Sequence, residues 1–450
     1  MSTQSLGWEE RLAAGKALRS ALPRTAHADW STANERRDPV ELLESSNRGR
    51  LSRLTPLRYG RMLRSPFAFL RGAAVTMAYD LAQTPATGLV LQVCGDCHLA
   101  NFGLFGTPER NLVFDINDFD ETLCGPWEWD LKRLAASVVL AGRTNGFTEQ
   151  QCAEIAQQCA QSYREHLREF STMSPLEIWY FRVCADELVE NAPDAEARER
   201  REKMVAKARG RVAERLLPKI AEEIDGRHRF VENLPVVTRI AEDRYRTTLD
   251  EGIEQYRASL TEDRRLLFDR YRLDDFAMRV VGVGSVGTRC FVALLVCDDR
   301  NPLLLQIKEA RPSVLEPYVA KSPFQNQGQR VVVGQRVMQT ASDIFLGWLR
   351  SRDGHDYYVR QMRDMKYSIP LDDAEVTGLG RYAAICGWSL ARAHAKGGDA
   401  ATISGYLGGS EKFDEAISKF ALAYADQTER DHAALVEAKR TGRIEVIEEE

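Results

Sequence analysis

Hydrophobic periodicity changes twice along this chain, and the order of those changes limits the folds open to it. From Asp130 onward, Leu131, Leu134, Ala135 and Val138 fall at the i, i+3, i+4, i+7 spacing of one helix face. Around Phe276 that period gives way to β-type sequence: RVVGVGSVGTRCFVALLVC, a DDRNP turn (298–302) and a returning strand LLLQIK (303–308). From Gly380 the helical period returns, with Tyr382, Ile385, Cys386 and Leu390 on a shared face. Helical first, β-rich in the middle and helical last is an α+β order, not alternating βα units. At 450 residues the chain exceeds one small core and suggests two or three domains, or one large two-lobed unit.

Composition excludes several classes. Apolar residues are 44% and charged residues 28%, an ordinary globular balance rather than a fibrous or disordered one. Lys plus Arg is 61 against 66 Asp plus Glu, a net charge of −5, which argues against general nucleic-acid binding. No apolar run reaches the ~18–20 residues of a membrane span. The start, MSTQSLGWEERLAAGKALRS, carries early acids and no unbroken apolar region, so it does not read as a secretory signal. Nine scattered cysteines then read as reduced thiols in a cytoplasmic protein.

Local signals place the remaining elements. Asp38 before Pro39 opens a short helix within an arm, 1–60, expected to wrap a larger body. The spacing predicts a helix over 66–81, a strand in GLVLQV before a Gly-Asp turn, and a second strand at 112–116. Thr148 and Gln151 form a capping box for a helix running to about Phe170. Residues 194–215 read as one charged helix, and 325–349 as another. Residues 356–368 begin as a strand, and the EVIEEE tail is expected to fray. Trp127 and Trp129 read as core anchors between lobes.

Three clusters carry chemistry. In CGDCHLANFGLFGTPERNLVFDINDFDET, Asp96 and Asn101 share a turn after one apolar strand, and Asp118, Asp120 and Glu121 follow another. Strand ends put such side chains at a sheet rim, and their oxygens suit Mg²⁺ with bound phosphate. Any single loop Asp is as readily a turn cap. Cys94-Gly-Asp-Cys97-His98 also matches the haem-attachment pattern, but that chemistry needs export, so Cys94 and Cys97 read as packing residues. In the second cluster, Gly282, Gly284, Ser285 and Gly287 allow backbone N–H groups close to a phosphate, although a plain hairpin turn fits equally well. The third element is Lys308, ending an apolar strand where an unpaired charge is costly. Glu316 is a candidate acid to orient it, but Ser313 and Glu316 also form a capping box, and 325–342 contains no acid. His98 orients the Asp96 loop or is structural. Arg360 reads as a surface ion pair, with substrate contact the lesser alternative.

The turn Cys94-Gly95-Asp96-Cys97-His98-Leu99-Ala100-Asn101 resembles the H-G-D-x-H-x-x-N loop of aminoglycoside and choline phosphotransferases, with Cys94 in place of the first His. Asp118-Phe-Asp-Glu, Gly125-Pro126 and Asp130-Leu131 resemble that family's metal-binding strand end and following helix. The resemblance implies Asp96 as catalytic base, Asn101 and Asp118 as Mg²⁺ ligands with Asp115 as fallback, and Asp130 as the brace of the loop. It also implies ATP as cofactor, with Lys308 and the Gly-rich turn on its phosphates. The order departs from that family: the Gly-rich turn and Lys308 come about 190 residues after the loop they should precede. A circularly permuted, two-lobed protein-kinase-like fold would account for this, with GWSLARAHAKGGD (387–399) as the helix leading into the loop. The expected parts are a helical lobe at 61–272, a β-rich nucleotide lobe at 273–372 and returning helices at 373–450. Across nearly its whole length the chain also resembles the bacterial domain of unknown function family 2252, through GDCHLANFG, NDFDET, GPWEWDLKRLA, QIKEARPS, GQRVMQTASDIFLGW and LARAHA.

Three functions follow as expectations: a phosphotransferase acting on an unknown small-molecule or protein hydroxyl, with AMP transfer as a variant; a nucleotide-binding pseudokinase or adaptor; and a metal-dependent hydrolase, which should show several His near Asp118.

Overall fold

Apolar, β-branched runs in the second half of the chain assemble into one six-stranded antiparallel sheet. Its spatial order is Gly347–Arg350, Asp356–Gln361, Asn301–Ala310, Cys290–Cys297, Arg272–Arg279 and Val237–Arg239. A computed structural model describes residues 6–30, 36–240, 242–280, 282–298, 301–362 and 365–448. The centre of the 298–302 turn and the last two residues of the acidic tail lie outside these. Side chains alternate across the sheet. Leu305, Ile307, Tyr357 and Val359 face an apolar layer with Tyr256, Phe268 and Phe291. Gln306 and Lys308 point the other way, in register with Arg360 and Tyr358. Because Val237–Arg239 joins this sheet, the β-rich body draws on residues earlier than the expected 273.

A second body is helical. Trp127–Thr144, Glu149–Phe170, Val376–Gly397, Ala400–Leu407 and Lys412–Arg440 share one large core. Both halves of the chain therefore contribute to it, and the overall class is α+β. Thr148 and Gln151 exchange the two capping-box bonds, and the helix ends at Phe170. Two small antiparallel ribbons lie at its edge: Val90–Val93 with Leu123–Pro126, and Phe102–Gly106 with Leu112–Ile116 and Tyr367–Ser368. Residues 6–30 and 36–63 lie across this helical body. Asp38 caps Pro39–Asn47, while Arg19 and Arg24 donate to carbonyls of Tyr406 and Leu407 at 2.8 and 2.6 Å.

Several expectations need correction. The 66–81 helix breaks at Ala73 into Pro66–Gly72 and Ala74–Leu81, and the Gly72 carbonyl goes to buried Arg58 at 2.6 Å. The 194–215 helix ends at Gly210 and restarts as Ala213–Ile220. The 325–349 helix is only Gln327–Met338; Gly347–Arg350 becomes an edge strand, anchored where Trp348 N donates to Ser259 Oγ at 3.0 Å. The acidic tail is held as far as Ile447, whose N–H donates to the Pro56 carbonyl at 3.1 Å. Trp127 stacks on Tyr163 inside the helical core rather than between lobes, and Trp129 is buried in that same core. No helix among the described residues is long and apolar enough to cross a membrane. All nine cysteines are free, and Cys94 and Cys97 are buried.

Candidate functional site

The ribbon Val90–Val93 delivers the chain into a tight turn at Gly95, whose φ is +81°. A Cβ there would also stand 2.4 Å from the Glu121 carbonyl oxygen, so the turn requires glycine. Asp130, in the first turn of the Trp127–Thr144 helix, takes the N–H of Cys94 at 2.6 Å and of Gly95 at 2.9 Å. His394 Nε2 lies 3.3 Å from the same carboxylate. Asn101 Nδ2 donates to the Asp96 carbonyl at 2.6 Å, closing the turn from the other side.

Asp96 itself is gripped by Arg133, whose Nε lies 2.7 Å from Oδ1. Burial raises the Asp96 carboxyl above its ordinary value, and Arg133 and Arg71 oppose this without cancelling it. His98 Nε2 is 3.8 Å from Asp96 Oδ2, while its Nδ1 is buried without a hydrogen bond. Burial, with Arg71 and Arg133 nearby, holds His98 well below its ordinary pKa, so the imidazole is neutral.

The strand Leu112–Ile116 carries the second loop. Asp118 Oδ1 stands 3.5 Å from Lys308 Nζ and makes no hydrogen bond. Burial favours the neutral acid, but Lys308, Arg360 and Lys366 outweigh it and hold Asp118 below its ordinary value. Asp120 is the hub. Its carboxylate receives Lys308 Nζ at 2.7 Å, Ser285 Oγ at 3.0 Å and the Tyr358 hydroxyl. Burial works against the Lys308 charge, but Asp118 and Asp120 keep it well above its ordinary pKa.

Lys308 therefore pairs with Asp120 and Asp118, not with Glu316. The Ser313–Glu316 stretch forms turns rather than a capped helix, and Ser313 Oγ donates instead to the Glu121 carbonyl at 2.7 Å. The acid-free helix Gln327–Met338 contributes Arg330, which holds the carbonyls of Asp120 at 2.9 Å, Thr122 at 2.5 Å and Arg311 at 2.8 Å. A helix that fixes the backbone carrying the acid has no need to supply one.

Two further expectations change. Asp115 does not face the cavity; it is buried, with Arg392 Nη2 at 2.6 Å and Thr340 N at 2.7 Å on its carboxylate. Arg360 is not a surface ion pair: Nη1 donates to the Asn117 carbonyl at 3.0 Å and Nε to Gln306 at 3.2 Å, beside Tyr358.

A cavity of about 410 Å³ gathers these parts. Asp96, His98, Asn101, Asp118, Asp120 and Glu121 form one wall, and Gly282, Gly284 and Ser285 another. Gly287 lies outside it, at φ +87°, where Arg50 packs 3.2 Å from the position of a Cβ. Arg50 Nη1 clamps the turn, donating to the carbonyls of Gly284 at 2.9 Å and Val286 at 2.7 Å. Because the Asn101 amide nitrogen is spent on Asp96, its oxygen is the atom left to ligate. That oxygen and the Asp118 oxygen are donors of a kind that could hold a Mg²⁺. Among the described residues, no group of three or more His, Cys, Asp or Glu forms a metal cage.

Sequence reasoning did not assign Asp120, Arg133, Arg50, Tyr358, Arg392 or His394. Asp120 stood in the acidic cluster, but its partner is distant in the chain. Arg392 and His394 lie in LARAHA, which the sequence marks as a family motif on the helix leading into the loop without giving either side chain a role.

The family model described as "Uncharacterized protein conserved in bacteria (DUF2252)" matches residues 50–438. The chain belongs to that family. No curated protein and no solved structure matches it.

Proposed function

We propose that this family member is an ATP- and Mg²⁺-dependent phosphotransferase with a hydroxyl acceptor, built on a circularly permuted kinase-like scaffold. One observation carries the reading. A single carboxylate, Asp120, joins the Gly-rich turn through Ser285 to Lys308, in the cavity that also holds Asp96, Asn101 and Asp118. Those are the parts phosphoryl transfer needs: a phosphate-covering turn, a lysine, metal-ligating oxygens and a base.

The order of the β-rich body supports the same reading. Its Gly-rich turn lies between two strands, Lys308 stands near the end of the next strand, and a helix follows. Catalysis would rest on positioning and charge neutralisation. Backbone N–H groups of the turn would meet the phosphates, and Lys308 would exchange part of its pairing with Asp120 for them. Asn101 and Asp118 would hold a Mg²⁺, which would supply charge neutralisation. Asp96, raised by burial, would accept the acceptor's proton. The acceptor oxygen then forms a bond to the γ-phosphorus, the bond from that phosphorus to the β–γ bridging oxygen breaks, and ADP leaves.

One observation favours a second reading, a nucleotide-binding pseudokinase. The Asp96 carboxylate is already held by Arg133, which would restrain it as a base.

Calorimetric titration of ATP with Mg²⁺ into wild type, Asp118→Ala and Lys308→Ala tests the shared part of both readings. Mg²⁺-dependent binding that is lost in the two variants is expected; no binding by wild type would sink both. Turnover that disappears in Asp96→Ala then selects the enzyme, and ADP rather than pyrophosphate as product selects phosphoryl over AMP transfer.

A further inference from the structure

The same cavity has a second chemical face. Arg37, Arg50, Arg58, Arg71 and Arg311 line it, the first three from the segment that crosses the helical body. The acids of the cavity are largely answered from behind the wall. Asp96 is paired with Arg133, Asp118 and Asp120 with Lys308, and Glu309 with Arg289. Among the described residues none of these arginines makes a direct ion pair with a carboxylate, although Asp96 and Asp372 act on Arg71, and Glu121 and Glu309 on Arg50, through space. Arg50 spends its donors on carbonyls of the Gly-rich turn and of Ser46. Arg58 uses Ser46, Asn47 and the Gly72 carbonyl, and Arg311 the Ser46 and Arg48 carbonyls. None of these partners is a carboxylate. Arg71 Nε is buried with no hydrogen bond at all, and Arg37 sits exposed at the rim. Burial first, then Arg58 and Arg311, push the Arg50 guanidinium well below its ordinary value, against the opposing pull of Glu121 and Glu309. Partly buried cations without a carboxylate in direct contact remain places where an anion can join them.

Position decides which anion. Lys308 and the Asn101–Asp118 pair lie where the phosphates of a nucleotide would be. Arg71 lines the cavity together with Asp96, whose carboxyl feels its charge after that of Arg133, and its carbonyl stands 3.3 Å from the Cβ position of Gly284. We propose that the acceptor of this site is an anionic alcohol, carrying a phosphate or carboxylate that Arg71 and Arg37 bind while Asp96 faces its hydroxyl. This rests on the phosphotransferase reading. It sets the protein apart from enzymes for choline or amino sugars, whose cationic acceptors would meet like charge here.

Inorganic phosphate is the probe. It is titrated into wild type alone, and into wild type saturated with Mg²⁺ and a non-hydrolysable ATP analogue. Phosphate is expected to bind in both cases. Arg71→Ala should weaken it about tenfold and Arg37→Ala about threefold, as loss of charge-assisted contacts predicts, with nucleotide affinity within about twofold. Arg37 is exposed, so its variant keeps the test alive should Arg71→Ala fail to fold. Phosphate displaced by the nucleotide analogue, no phosphate binding in either case, or tighter binding of choline than of phosphate would each overturn the assignment. Phosphate binding without any nucleotide binding would instead overturn the phosphotransferase reading, and the acceptor role with it, on the nucleotide titration alone.

Discussion

Lys308 Nζ lies 2.7 Å from Asp120 Oδ2, across 188 residues of sequence. The lysine side chain is 2% exposed and the aspartate 30%, so Asp120 lines the cavity with Lys308 buried behind it. Removing one partner of a buried pair leaves an uncompensated charge. The 3–5 kcal/mol usual for full burial is reduced here by the exposure of Asp120 and by the second acid, Asp118. Asp120→Ala should therefore cost about 2 kcal/mol in urea unfolding and raise the nucleotide Kd about tenfold, because Lys308 and Ser285 both lose their anchor. Asp118→Ala should cost about 1 kcal/mol or less, since Asp118 is 3.5 Å from the lysine, yet abolish the Mg²⁺ dependence of nucleotide binding. Equal stability losses in the two variants would show that Asp120 is not the hub.

Much of this site was legible in the sequence, because its parts are local. A Gly-Asp turn after an apolar strand, Asn101 five residues on, and a Gly-rich turn between β-type runs each announce themselves within about ten residues. What stayed hidden depends on long-range pairing. Nothing near Lys308 says that its acid comes from Asp120. Asp115 and Asp118 look equivalent in LVFDINDFD, and only the fold gives one to Arg392 and leaves the other facing the cavity. The misread 325–349 helix has the same cause. IFLGW is apolar enough for either period, and an open sheet edge beside Asp356–Gln361 decided it.

Arg50 should set the mobility of the Gly-rich turn. Its two charge-assisted bonds to Gly284 and Val286, with Leu51 N donating to the Gly287 carbonyl at 2.7 Å, fix the turn from outside the sheet. Such bonds contribute about 1.5–3 kcal/mol each when buried, and less here because Arg50 is partly exposed. Arg50→Ala is expected to speed amide exchange across 282–289 by at least about tenfold, with exchange in Gln327–Met338 unchanged. Uniform acceleration across both segments would mean global destabilisation instead.

Asp130 should separate charge from shape. Its carboxylate accepts the N–H groups of both Cys94 and Gly95. Asp130→Ala leaves both donors buried and should cost about 3 kcal/mol, with loss of nucleotide turnover. Asp130→Asn keeps one acceptor oxygen and places an NH₂ against the other donor, so about half that loss is expected. A melting series of the three proteins checks the order. Asn equal to wild type would show that the charge contributes nothing to the brace.

His27 should give the protein an acid limit that can be removed. Its ring is fully buried, with Nε2 2.7 Å from the Tyr406 hydroxyl and edge contacts to Tyr406 and Phe413. Burial, with Lys132 adding to it, pushes the imidazole down to about 3. The unfolded chain, with His near 6.5, binds the proton that the folded chain refuses. Between about pH 6.5 and 3 the unfolded state therefore holds more protons, so stability rises with pH there and is lost as pH falls through that window. The contribution is present in full above about pH 6.5, and the total loss is on the order of 4 kcal/mol at the acid end. His27→Phe fills the same apolar site without a titrating group. It should lose some stability at pH 7, where the Tyr406 bond is missing, but show a shallower decline between pH 6 and 4 in denaturant melts. Parallel wild-type and variant curves over that range would place the acid sensitivity in the carboxylates of the cavity instead.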